Sequence, residues 1–103
     1  YLQTKKADVM ISKKLQDAIN EQISVEMWSA NLYLSMSLYF AKEGFSGFAS
    51  WMKVQSKEEL GHAYSMMDYV IKREGTAIVS AIKEVPVSWD TPLAAFESVY
   101  KHE

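Results

Sequence analysis

Two long stretches of the chain carry apolar side chains at steps of three and four residues, the spacing that places them on one face of an α-helix. The first stretch begins after Ser12, a favourable N-cap, and continues to Gly44, which suits the C′ position of a helix. The second stretch follows a short turn and continues to Gly75. We predict helices over residues 12–43 and 46–74, and the short turn makes them an antiparallel hairpin.

The first predicted helix is apolar on more than one side. Trp28, Leu32 and Tyr39 fall outside the main stripe of the helix. A helix with two apolar faces usually packs against neighbours on two sides. We therefore predict that this second face forms a contact between subunits.

Residues 76–89 form an apolar segment of a different kind. Pro86 argues against a helix through the second half, and in an extended conformation the segment reaches about 46 Å, close to the length of either helix. A plain up-down bundle needs only a few residues here. We predict a crossover along the whole bundle, followed by a third helix at 91–103 that starts at the same end as the second. The predicted apolar stripe of that helix is Leu93, Phe96, Val99 and Tyr100.

Three polar side chains interrupt the apolar faces of the two long helices. Glu26 lies on the face of the first, and Glu59 and His62 share a face of the second, one helical turn apart. A buried charge costs several kcal/mol unless it is paired or bound to a metal, and neither face carries another basic residue. Carboxylates and an imidazole without a thiolate favour iron or manganese over structural zinc. The pattern predicts a metal site between the helices.

The composition excludes several classes of protein. The apolar and charged fractions, 49% and 23%, are those of a globular chain, and 103 residues make one domain at most. The net charge of −2 gives no reason to expect nucleic acid, and no run of about 18 apolar residues predicts a membrane span. The chain has no cysteine, which rules out disulfides and zinc–thiolate sites. No secretory-type apolar segment is found at the start, so we expect a cytoplasmic location.

Residues 1–9 show no helical periodicity, and Met10 has the character of a natural start. We interpret residues 1–9 as an extension or a tail left by cloning. Residues 10–103 are assigned to one incomplete domain, because the third predicted helix is cut short at residue 103.

Three motifs accompany the long crossover. They are Asn20-Glu21-Gln22-Ile23-Ser24-Val25-Glu26 followed by Tyr33, then Glu58-Glu59-Leu60-Gly61-His62, and finally Tyr100-Lys101-His102-Glu103. Over residues 10–103 the chain resembles the N-terminal part of a bacterial non-haem ferritin. The resemblance implies an all-α fold, namely half of a ferritin-like four-helix bundle.

The resemblance also implies a di-iron ferroxidase centre inside the bundle. By this resemblance, Glu26, Glu59 and His62 ligate the first iron. Glu59 also bridges to the second iron, and Glu103 is a ligand of that second iron.

Further roles follow from the same resemblance. Tyr33 is the tyrosine beside the centre, so the implied catalytic set is Tyr33 with the three ligands of the first iron. Glu58 belongs to a neighbouring third iron site. Haem-containing bacterioferritins carry a methionine directly after the bridging glutamate, and Leu60 stands there in this chain, so no haem is expected. His102 faces about 100° away from Glu103 on a helix and is expected on the surface.

The implied function is an iron-storage subunit with ferroxidase activity. It would form a homo-oligomer, a cage of 24 subunits in the full-length form. The alternative is a truncated or engineered half-bundle that assembles as a dimer or cage without full ferroxidase activity. In a dimer, two hairpins would supply two Glu and two Glu-x-x-His sets, as carboxylate-bridged di-metal sites require. A third interpretation, a related bundle oxidase or a smaller DNA-protecting cage, is disfavoured by the long crossover and by a site drawn from within one bundle. The lack of a long basic tail also counts against DNA.

Overall fold

A computed structural model of the chain describes residues 10–102, and within that range it contains three α-helices and no strand. Helix α1 spans Lys13–Lys42, α2 spans Ser46–Lys72 and α3 spans Pro92–His102. The predicted all-α fold is confirmed. The interpretations of residues 1–9 and of Glu103 concern residues outside the described range.

Both ends of α1 are capped. The Ser12 hydroxyl accepts a hydrogen bond from the Leu15 N–H at 3.2 Å. At the other end Gly44 adopts φ +86°, and the Phe45 N–H donates to the Phe40 carbonyl at 2.8 Å. This is the Schellman arrangement, in which glycine takes the left-handed position without a steric penalty. The chain therefore turns sharply and enters α2 two residues later.

The end of α2 uses the same arrangement with a different residue in the left-handed position. Glu74, with φ +62°, takes the position that glycine takes in α1. The Glu74 N–H donates to the Ile71 carbonyl at 3.0 Å, and the Gly75 N–H donates to the Val70 carbonyl at 2.9 Å. The requirement for glycine at position 75 is therefore spatial, because the chain here passes close to the start of α1.

We expect opposite effects from two Gly→Ala substitutions. A Cβ at Gly75 would lie 2.6 Å from Gln16 Oε1, which accepts the Thr76 N–H, and 2.7 Å from Ile11 Cγ2. Gly75→Ala should lower the free energy of unfolding by about 1–3 kcal/mol. Gly61 lies within α2, and apart from its two chain neighbours and the nearby backbone of its own helix, no atom of the described chain lies within 4 Å of its Cβ position. Gly61→Ala should stabilise by about 0.5–1 kcal/mol. Urea denaturation measures both, and equal effects would contradict the spatial role.

Two buried serines fix the register between α1 and α2. The Ser56 hydroxyl donates to the Ala30 carbonyl at 2.7 Å, and the Ser37 hydroxyl donates to the Ala49 carbonyl at 2.6 Å. The second pair lies further along α1 and further back along α2, so the helices are antiparallel. Because both hydroxyls are buried and paired, sliding the helices would leave them without partners, at a cost of about 1–3 kcal/mol each.

Side chains of α1 hold the start of the crossover, residues 75–89, which adopts neither helix nor strand. Gln16 Oε1 accepts from the Thr76 N–H, and the Asn20 side chain both donates to the Thr76 carbonyl and accepts from the Ile78 N–H, each at 2.9 Å. An extended segment forms no hydrogen bonds within its own backbone. The side-chain amides of Gln16 and Asn20 therefore pair with backbone N–H and carbonyl groups of the crossover that would otherwise bond to water.

The end of the crossover is held near the C-terminus of α1. The Ser35 hydroxyl donates to the Pro86 carbonyl, and the Tyr39 hydroxyl donates to the Trp89 carbonyl at 3.2 Å. The crossover therefore runs the length of α1 in the same direction, as predicted. It also covers Tyr39, whose ring packs edge-to-face against the Trp89 ring with centroids 5.2 Å apart. The prediction that Tyr39 and Leu32 face another subunit is wrong, because both are buried within this chain.

Helix α3 starts beside the start of α2. The Thr91 hydroxyl accepts from the Ala94 N–H at 3.0 Å, which caps the first turn. Phe96 packs against Phe48 of α2 with ring centroids 5.2 Å apart. The buried face of α3 consists of Ala95 and Val99, and its last described residue reaches back to the middle of α1. None of the helices in the described range is long and apolar enough to cross a membrane.

Candidate metal centre

Glu26, Glu59 and His62 meet in the gap between the middle parts of α1 and α2. His62 Nδ1 lies 3.4 Å from Glu59 Oε2 and 3.7 Å from Glu26 Oε2. One ligand atom from each residue lies within 4.8 Å of the other two. Ligand atoms bound at about 2.0–2.2 Å to one cation are themselves about 3–4 Å apart. The three side chains are therefore close to an arrangement that could hold a divalent ion.

The three ligand candidates differ in exposure. The side chains of Glu26 and Glu59 are 15% and 18% exposed, whereas that of His62 is 59% exposed. The two carboxylates are thus largely buried, whereas the imidazole lies at the solvent-exposed edge of the site. In the described part of the chain, the site remains accessible from the side of His62.

Local helix geometry places each group. Glu59 and His62 are one turn apart on α2, so they project from the same face. On α1, Gln22 precedes Glu26 by one turn, and its Nε2 donates to Glu26 Oε1 at 3.3 Å. This contact restrains the Glu26 carboxylate and leaves its other oxygen facing α2.

The two carboxyl groups share a proton. The hydrogen bond to Glu26, burial and the negative charge of Glu26 together raise the pKa of Glu59 to about 7, and His62 partly offsets this. The hydrogen bond from Glu59 lowers the pKa of Glu26, helped by Gln22 and His62 and opposed by burial. Glu26 is therefore the carboxylate and Glu59 the acid that titrates near neutrality. A cation must displace that proton in order to bind both groups.

We expect Co²⁺, a stable probe for such a site, to bind more tightly as the pH rises through 7. Below pH 7 Glu59 keeps its proton, so the affinity should fall by about tenfold per pH unit, and it should level off above pH 8. Titration calorimetry in two buffers of different ionisation enthalpy gives both the affinity and the number of protons released. Asp68→Asn, an exposed change on the same helix, should leave the profile unchanged. An affinity that does not change between pH 6 and pH 8 would contradict the shared proton.

The other predicted site residues lie in different surroundings. Tyr33 is buried, two turns after Glu26 on α1, with a ring centroid 5.7 Å from that of His102. Glu58 is exposed and is not part of the three-residue cluster. Glu103 lies outside the described residues. The structure thus brings together three of the five predicted ligands, and the iron-binding role of all five stays a prediction.

His102 has contacts that the sequence interpretation missed. It is exposed, as expected, but its Nε2 lies 2.9 Å from Ser29 Oγ, and its ring contacts Trp28 and Tyr33 of α1. The signal was present in the spacing. His102 follows Val99 by three residues and so projects from the same side of α3 as that buried residue, next to α1.

Comparison with known proteins gives the class of the fold. The family model of the ferritin-like domain matches residues 16–103. An Archaeoglobus fulgidus ferritin engineered into a closed form superimposes with a TM-score of 0.86 at 52% identity, covering 89% of this chain and 56% of that one. The chain therefore belongs to the ferritin family.

Relatives within the family define the type more closely. A bacterial non-heme ferritin of Bacteroides fragilis is 69% identical over 94 residues, which are 91% of this chain and 59% of the relative. A bacterial non-heme ferritin of Staphylococcus epidermidis is 36% identical, over 91% of this chain and 57% of the relative. The predicted resemblance to bacterial non-haem ferritins is confirmed. The chain spans less than two thirds of the length of these relatives.

Proposed function

We propose that this chain is the first part of an iron-storage subunit that binds Fe²⁺ as a substrate and oxidises it. The observation that carries the proposal is the cluster of Glu26, Glu59 and His62 at the contact between α1 and α2. Two carboxylates with one imidazole suit ferrous iron, since they offer hard oxygen ligands and no thiolate. Membership of the ferritin family supports the same proposal.

The residues of the cluster contribute in different ways. Glu26 is already ionised and offers a charged ligand, while Glu59 becomes a ligand when it loses the shared proton. Two negative charges next to the iron stabilise Fe³⁺ more than Fe²⁺ and so favour oxidation. Each of two Fe²⁺ ions loses one electron, and dioxygen accepts both electrons with two protons to give hydrogen peroxide. Peroxide is the alternative oxidant.

The remaining assignments from the resemblance belong to this proposal. Glu103 would be a ligand of the second iron, Tyr33 would stand beside the centre, and exposed Glu58 would serve a third site. No haem is expected, because Leu60 follows the bridging glutamate. The name of the Bacteroides fragilis relative, a non-heme ferritin, supports this.

We further propose a homo-oligomer that stores the ferric product as a mineral, with 24 subunits in the full-length form. Apolar side chains on the outer side of the molecule support assembly, since Leu38 of α1 is 66% exposed and Val87 of the crossover is 76% exposed. Cytoplasmic location stays a prediction from the sequence.

The test adds Fe²⁺ to the purified protein without oxygen and then admits oxygen. We expect ferric absorbance to grow faster than in protein-free buffer, with one dioxygen consumed for two Fe²⁺ in the first turnover. Light scattering should show a large particle that gains mass with iron. A particle that forms but oxidises iron only at the rate of buffer would favour the half-bundle alternative.

A further inference from the structure

We infer that His102 is a positioning residue of the metal centre, which fixes the ring of Tyr33 and fastens the end of α3 to α1. The inference deepens the proposed function and rests on it for the effect on iron oxidation. The effect on Tyr33 can be measured without iron.

One side chain makes three contacts with α1. His102 Nε2 lies 2.9 Å from Oγ of Ser29, which is buried. The His102 ring lies 5.6 Å from the Trp28 ring at an interplanar angle of 52° and 5.7 Å from the Tyr33 ring at 83°. The second geometry is the edge-to-face arrangement that aromatic pairs favour, worth about 0.5–1.5 kcal/mol. The hydrogen bond therefore fixes the imidazole, and the imidazole fixes the Tyr33 ring.

Helix α3 has few other large groups with which to hold its last turn. Its buried residues, Ala95 and Val99, are small, and Tyr100 is 83% exposed. Phe96 packs against α2 near the start of α3. Within the described residues, His102 thus adds a hydrogen bond and ring contacts between the end of α3 and the middle of α1, beside the packing of Val99 in the core.

The contact between His102 and α1 lies close to the metal centre along the axis of α1. Tyr33 follows Glu26 by two helical turns, about 10.5 Å along the axis. Side chains on a helix lean towards its N-terminus, so the Tyr33 ring extends back towards the level of Glu26. In the sequence, His102 is followed by Glu103, the predicted ligand of the second iron.

The test compares variants that remove one contact at a time. His102→Phe keeps a ring against Tyr33 and loses the hydrogen bond, and Ser29→Ala loses the same hydrogen bond from the other side. His102→Ala loses both. The matched control is Tyr100→Ala, which removes an exposed ring from the same helix. Incorporated 3-fluorotyrosine reports on Tyr33 by ¹⁹F NMR of the iron-free protein, with the signal assigned by its loss in Tyr33→Phe.

We expect His102→Ala to shift the Tyr33 signal and to lower the maximal rate of iron oxidation by about tenfold. The Fe²⁺ concentration at half-maximal rate should change less than twofold, because the three clustered ligands are untouched. His102→Phe should recover most of the rate. His102→Phe and Ser29→Ala combined should be no worse than either alone, since both remove one interaction. Tyr100→Ala should match the parent.

Two results would overturn the inference. The first is a His102→Ala protein with the parental Tyr33 signal and the parental rate. The second is an unchanged Tyr33 signal with equal rate losses in His102→Ala and His102→Phe, which would show that the ring contact with Tyr33 plays no part in the effect of His102. If the parent protein itself does not oxidise iron, the proposed function fails, and the Tyr33 signal of His102→Ala still decides the role of His102.

Discussion

Glu59→Gln should abolish fast ferrous oxidation and at the same time stabilise the iron-free protein. The amide has the shape of the acid but cannot lose a proton, so it offers the iron no anionic oxygen. We expect the oxidation rate to fall by on the order of a hundredfold or more. Stopped-flow absorbance after mixing with oxygenated buffer measures the rate, with Glu59→Ala as a second variant and Asp68→Asn as the control. Fast oxidation in both Glu59 variants would show that the site is elsewhere.

The gain in stability should depend on pH. The folded pKa of Glu59, about 7, lies above its ordinary value of 4.5. A raised carboxyl pKa means that the folded state holds the proton more tightly, so the parent loses stability as the pH rises from about 4.5 to 7. Glutamine keeps a donor towards Glu26 and does not ionise. The free energy of unfolding of Glu59→Gln should therefore be close to that of the parent at pH 5. At pH 8 it should exceed that of the parent by on the order of 1 kcal/mol. A Glu59→Gln protein that is less stable than the parent at pH 8 would contradict the shared proton.

These two expectations together describe a compromise between activity and stability. The iron-free protein keeps two carboxyl groups in contact, and this contact costs stability at neutral pH because like charges repel. The same contact is useful once a cation lies between them. The contact between Glu26 and Glu59 thus lowers the stability of the iron-free fold at the position where the proposed iron site requires both groups.

The hairpin and the cluster could be predicted because their signals are local. Glu59 and His62 share a face by helical periodicity alone, and Gly44 sets the turn. Glu26 and Glu59 lie nearly the same number of residues from that turn, so a short turn brings them level. The sharing of the proton could not be predicted, because it depends on side-chain conformations and on burial, which the spacing does not determine.

Helix α3 shows where sequence reasoning fails. The predicted apolar stripe includes Leu93 and Tyr100, yet they are 67% and 83% exposed. Val99 of that stripe is buried as predicted, and so is Ala95, which the prediction left out. In a short helix several stripes fit the pattern equally well, and the largest side chains are the most visible in the sequence. The true face is set by how closely α3 approaches its neighbours, and this favours alanine and valine. The same error hid the contacts of His102 with α1.

Met52→Ala should have the opposite consequences to Glu59→Gln, with stability lost and activity retained. Met52 is fully buried in the cluster where α1 and α3 meet α2, and it lies two turns before Glu59. Removing its side chain leaves a cavity, so the free energy of unfolding should fall by about 2–5 kcal/mol. Met52→Leu, which keeps the volume, should cost less than about 1.5 kcal/mol.

The measurement is urea denaturation at pH 7, with iron oxidation assayed on the folded protein in water. Val54→Ala is the matched control, because Val54 is on the same helix but 51% exposed, and its effect should stay within about 0.5 kcal/mol. Folded Met52→Ala should oxidise iron within a few-fold of the parent, since the hydrogen bond from Ser56 to Ala30 still fixes the register of the cluster. If folded Met52→Ala were as inactive as Glu59→Gln, the core packing at Met52 would have to control the geometry of the centre, and stability and activity would not be separable in this hairpin.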